Sequence, residues 1–90
     1  MVKVEIRACH HIVASILMFV DGISFEYGAS PRELNVIKNK RAINIVEKGD
    51  GKIFWIASDG ESFVDNGEFD GNILSESQSF VDYVKTFLMS

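Results

Sequence analysis

Residues 57–72, ASDGESFVDNGEFDGN, hold the side chains best suited to chemistry: the carboxylates of Asp59, Glu61, Asp65, Glu68 and Asp70, with no Lys or Arg among them. Carboxylates at this density can ligate a cation, share protons in acid–base catalysis, or attract a basic partner. A calcium hand needs oxygen donors at loop positions 1, 3 and 5, Gly at 6 and Glu at 12. Counting from Asp65 puts Glu76 at 12 but Gly67, Phe69 and Asp70 at 3, 5 and 6; counting from Asp59 puts Val64 at 6. Neither frame fits. Acid–base catalysis needs one carboxyl lifted in pKa by burial, whereas acids in and near turns stay hydrated and ionised.

The second cluster is Cys9-His10-His11. Thiolate and imidazole are good zinc ligands. Neighbouring residues on a strand face opposite sides, however, and the chain has no other Cys or His. No phosphate loop, nucleophile elbow or H-E-x-x-H motif occurs. No catalytic residue, metal ligand or cofactor is therefore assigned, and the chain reads as a non-enzyme.

Docking is the use that remains for the acids. Asp in turns is explained by its own backbone hydrogen bonds, but turn chemistry does not call for Glu61 or Glu68. Between Lys52 and Lys85 there are seven acids and no basic residue. Glu61 and Asp65, four apart on an expected strand, should share a face with Phe63 between them, while Asp59, Glu68 and Asp70 fall in flanking turns. The candidate partner-binding set is Asp59, Glu61, Phe63, Asp65, Glu68, Phe69 and Asp70, with Phe63 or Phe69 as apolar anchor.

Charge supports a basic partner. Residues 1–46 carry a net +2 and residues 47–90 a net −6, together the −4 of the chain. Such asymmetry bears on partners and association rates rather than on fold. The patch Lys38-Asn39-Lys40-Arg41 is read as cations favoured at a helix C-terminus. Phe54, Trp55, Phe63 and Phe69 lie in the acidic half, which repels phosphates, so direct nucleic-acid binding is not expected.

These side chains must be positioned by a small framework. Ninety residues, 47% hydrophobic and 24% charged, suit one ordinary globular domain spanning 1–90. The lone Cys9 excludes an internal disulfide and points to a reducing compartment such as the cytoplasm. The apolar run 12–20 is too short to span a bilayer and reads as a buried strand, so no membrane partner is expected.

Asp-Gly at 21–22, 50–51 and 59–60 lies between apolar runs, the signature of β-hairpins. A two-residue loop at Asp59-Gly60 would set Ser58 opposite Glu61, Ile56 opposite Phe63 and Trp55 opposite Val64. The run 53–57, IFWIA, is apolar on both faces and is expected to be covered on both sides. Residues 2–8 alternate as a half-buried strand. Ser30-Pro31-Arg32-Glu33 matches a capping box and predicts a short helix to about residue 39, with Leu34 and Ile37 on one side. Ser75 with Gln78 predicts the cap of a second helix, whose Phe80, Val84, Phe87 and Leu88 recur at helical spacing.

The predicted fold is α+β: an antiparallel sheet of five or six strands, in the order β-β-β-α-β-β-β-α, with the C-terminal helix packed on it. The predicted function is inhibition or neutralisation of a protein with a basic surface, such as a nuclease or another nucleic-acid-handling complex. Immunity proteins, antitoxins and phage anti-defence proteins share this size and charge, an analogy of role and not of family. One alternative is a structural subunit forming a homo-oligomer through Phe69, Met18 or an edge strand. The other is a small metal protein or enzyme using Cys9, His10 and His11.

Overall fold

The computed structural model describes residues 15, 16, 20–28 and 32–89. Five strands run in sequence order, β1 (Ser24–Tyr27), β2 (Glu33–Lys38), β3 (Arg41–Glu47), β4 (Lys52–Ser58) and β5 (Phe63–Asp70), followed by helix α1 (Leu74–Met89). Among the described residues every strand pairs antiparallel with the next, giving a meander with β1 and β5 at its edges. The α+β class, the five-stranded antiparallel sheet and the C-terminal helix are as the sequence predicts. The order of elements matches only in part, with five strands in succession before the helix.

The largest difference is β2. Residues 33–38 form a strand and not the expected helix. Leu34 and Val36 are buried while Asn35 and Ile37 are not, the period of two that a half-buried strand requires. The start signals at Ser30 and Pro31 lie outside the described residues. Lys38 pairs with Arg41 across a tight turn in which Asn39 takes a left-handed conformation, φ 58°. Asn tolerates that conformation, so the basic patch is a hairpin tip and not a helix end.

The expected strand over 12–20 is also revised. Ser15 and Ile16 are helical, and the N–H of Val20 donates to the C=O of Ile16 at 3.0 Å. Asp21-Gly22 then turns the chain into β1, with Gly22 at φ 77°; among the described residues no strand precedes that turn. The expected strand 2–8, the Cys9-His10-His11 cluster and Met18 lie outside the described residues.

The hairpins at Asp50-Gly51 and Asp59-Gly60 both form, joining β3 to β4 and β4 to β5. The second has a different register from the one expected. Its loop spans residues 59–62, and Ser58 pairs with Phe63 while Ala57 pairs with Asp65. Val64 is thus the extra residue of a β-bulge, which bends an edge strand and re-aims its side chains.

One face of the sheet is the core. Val36, Ile43, Ile45 and Ile53 lie under Phe80, Val84 and Leu88 of α1, with Ile16 and Val20 in the same cluster. Burial of each such side chain contributes roughly 1.5–3 kcal/mol, so α1 is held chiefly by its apolar stripe. Its last turn has no basic residue; Arg41 at the start of β3 donates from Nη1 to the C=O of Phe87 at 2.7 Å and lies over the Phe87 ring. The helix begins at Leu74, so Ser75 sits inside its first turn and is not the cap. The opposite face is not covered as the apolar run 53–57 suggested: Phe54 is 38% and Ile56 49% exposed.

Candidate functional site

An open groove of about 700 Å³ runs between the outer edge of β5 and the flank of α1. Its floor is aromatic. Trp55 reaches across from β4, Phe69 comes from β5, and Phe80 and Tyr83 come down from α1. The rings form a chain: Phe69 to Phe80 at 4.8 Å between centroids, Phe80 to Trp55 at 5.5 Å, Trp55 to Tyr83 at 4.9 Å, then Tyr83 stacked on Phe87 at 6.2 Å. Tilted and offset rings at these separations attract one another beyond their area burial.

Local sequence explains the reach of the indole. Gly67 stands opposite Trp55, and the ring occupies the space above its Cα. Glycine in a strand weakens it, and a cross-strand aromatic laid over the bare backbone restores cover. Asn66-Gly67 is therefore a packing site inside β5.

The rim is acidic. Asp65, Glu68, Asp70 and Glu76 line it, with Lys52 as its cation. Three of the four are placed by hydrogen bonds to backbone N–H groups. Asp65 accepts from the N–H of Asn66 through Oδ1 at 2.8 Å, and its Oδ2 takes a long 3.5 Å bond from the Tyr83 hydroxyl. Asp70 accepts from the N–H of Asn72 at 2.9 Å. Glu76, in the first turn of α1, accepts from the N–H of Asp70 at 2.8 Å, which ties the helix start to the end of β5. Burial first, then the charge and the hydrogen bond of Asp65, hold the Tyr83 phenol above its usual pKa of 10.0.

The structure divides the predicted set. Asp65, Glu68, Phe69 and Asp70 line the groove. Glu68 belongs to β5 and not to a flanking turn. Asp59 and Glu61 lie at the far end, in the β4–β5 loop. There Asp59 Oδ1 accepts from the backbone N–H groups of Glu61 and Ser62 at 3.1 and 3.0 Å and from the Ser62 hydroxyl at 3.4 Å. Those bonds, Ser62 N–H foremost, lower its pKa below 3.8. Its role is to build the loop.

Glu61 is outside β5, so it shares no strand with Asp65. The bulge also separates Phe63 from Asp65: they pair with adjacent β4 residues, Ser58 and Ala57, which face opposite sides. Phe63 is 61% exposed on the face away from α1. Phe69 is half-buried against Phe80 as part of the floor.

Trp55, Phe80, Tyr83 and Glu76 are the members that spacing did not bring forward as site residues. The one local clue was a strand glycine beside acids, because Gly67 marks where a ring must lie. Among the described residues no three acids come close enough to hold one metal ion, so the rim's charge is spread along the groove. No described helix is long and apolar enough to cross a membrane. Compared with protein-family models, curated proteins and solved structures, the chain matches none of them.

Proposed function

We propose that this chain is a non-enzymatic binding protein, whose acidic groove docks a protein with a basic surface and neutralises it. A nuclease or another nucleic-acid-handling protein is the kind of partner meant. The carrying observation is the combination of four rim carboxylates with an aromatic floor. An acidic rim steers a basic partner and raises the association rate, while apolar contact beneath it slows dissociation. The lone Cys9 suits a reducing setting such as the cytoplasm. The test is capture from native host lysate at low and high salt, using the wild type and an Asp65→Lys/Asp70→Lys variant. A basic protein retained by the wild type at low salt and lost by the variant supports the reading. Retention of nothing basic at low salt overturns it.

A second reading rests on the other face. Phe54, Ile56 and Phe63 are exposed there, and exposed apolar groups of this kind can mediate self-association. Light scattering decides it: a homo-oligomer insensitive to salt and dissolved by Phe63→Ser would favour a self-assembling subunit.

A further inference from the structure

Resting on the docking reading above, we infer that the groove takes an extended, arginine-bearing segment of the partner, with a guanidinium laid against Trp55 and Tyr83 and paired with Asp65, which shares their face of the sheet. The chemistry of the groove matches that of arginine. Carboxylates alone would suit any cation. Aromatic rings beside them favour a flat, weakly hydrated one. Arginine stacks on aromatic faces and bonds carboxylates in bidentate fashion, whereas the lysine ammonium is a compact, strongly hydrated point charge. The groove puts both requirements in one place, since Asp65 touches the Tyr83 hydroxyl and Tyr83 packs on Trp55.

The length of the site sets the form of the occupant. From Asp65 to Asp70 the strand covers about 16 Å at ~3.3 Å per residue. Five residues of extended chain match that span. The far end offers Glu76 beside Phe69, so a second arginine four residues along would also meet a carboxylate over an aromatic ring. Lys52 lines that end and weakens its pull, which makes the end at Asp65 the stronger of the two.

Trp55 is the only tryptophan, so the floor reports on its own occupancy. The probe is a blocked seven-residue peptide of glycine and serine with arginine at its second and sixth positions, titrated at low salt while Trp55 emission is followed. Lysine and citrulline versions are run beside it. The arginine peptide is expected to shift the emission and saturate. The lysine version should bind about fivefold more weakly, the loss of stacking and fork geometry, and citrulline should give no response. Asp65→Asn, at an exposed position, should raise Kd about tenfold. Asp59→Asn/Glu61→Gln, at the distant loop, should leave it unchanged.

If arginine and lysine peptides bind equally, or if the loop pair matters as much as Asp65, the groove inference is overturned while acidic docking stands. If no basic peptide binds to a folded protein at low salt, both are overturned.

Discussion

Gly67 lies directly opposite Trp55, and a Cβ built on it would stand 2.8 Å from the indole Cζ2. No real side chain tolerates that approach, so the ring and the glycine specify each other. The indole occupies the space over Gly67 because no side chain projects there, and it packs against Phe80 and Tyr83. One missing side chain thereby lets a β4 residue line a groove at the β5 edge.

Gly67→Ala should therefore destabilise the fold although the backbone at 67 is not left-handed. Alanine alone would favour folding slightly by restricting the unfolded chain. Pushing the ring out of its seat should outweigh that, with a net loss of about 1–3 kcal/mol, the usual cost of an overpacked site. Urea unfolding followed by Trp55 emission measures the loss. A red-shifted folded-state spectrum would show the ring displaced toward water. Unchanged stability and emission would mean that the ring has a second seat.

Reading the sequence goes as far as local signals reach. The hairpins at Asp50-Gly51 and Asp59-Gly60 were legible because Asp-Gly before an apolar run specifies a left-handed backbone; Gly51 and Gly60 take φ 90° and 95°. Helix α1 was legible from the recurrence of Phe80, Val84 and Leu88. At β2 the local signal misled. Ser30-Pro31-Arg32-Glu33 announced a helix, and apolar Ile37 beside Val36 hid the strand's period of two. Pairing with β1 and β3 decided for the strand.

The site was legible in charge and not in geometry. Asp65, Glu68, Phe69 and Asp70 were in view, but the bulge at Val64 depends on how β4 and β5 settle together. It turns Asp65 to the α1 face and leaves Phe63 on the other. The partnership of Trp55 with Tyr83 joins residues far apart in sequence, a tertiary fact with no local signal.

Arg41 should matter to α1 more than to any ligand. Its guanidinium bonds the C=O of Phe87 and covers the ring of that residue, supplying the cation that the last turn of the helix lacks. Arg41→Ala should cost about 1–2 kcal/mol, from a charge-assisted hydrogen bond and the helix dipole. Arg41→Lys should recover part of that, since the charge remains and the planar stack does not. Thermal unfolding by circular dichroism reads both. An alanine variant as stable as the wild type would refute this capping role.

Asp59 gives the β4–β5 loop a dependence on acid. Its folded pKa lies below the unfolded value of 3.8 because backbone N–H groups, Ser62 first and Glu61 next, favour the carboxylate. Its stabilising contribution is complete above the unfolded pKa and is lost as pH falls through the folded one. Asp59→Ala should flatten that part of the stability–pH curve, and Asp59→Asn, which keeps an acceptor oxygen, should hold the loop without the titration. Urea midpoints between about pH 5 and pH 2 carry the comparison. Equal slopes for wild type and Asp59→Ala would show that the loop stands without its carboxylate.

Tyr83 offers the opposite sign at the other end of the pH scale. Its folded pKa is above 10.0, raised by burial and then by Asp65 through charge and a hydrogen bond. A raised pKa contributes stability that is present below the unfolded value and lost as pH climbs through the folded one. The fold should therefore weaken in the alkaline range as the phenolate forms under α1. Asp65→Asn removes the charge but not the burial, so the phenol should ionise at lower pH than in the wild type while staying above 10.0. Ultraviolet titration in a Tyr27→Phe background isolates the signal, because Tyr27 is the only other tyrosine. Ionisation unaffected by Asp65→Asn would mean that the 3.5 Å contact exerts no pull in solution, and would weaken the pairing of Asp65 with Trp55 and Tyr83 on which the arginine site depends.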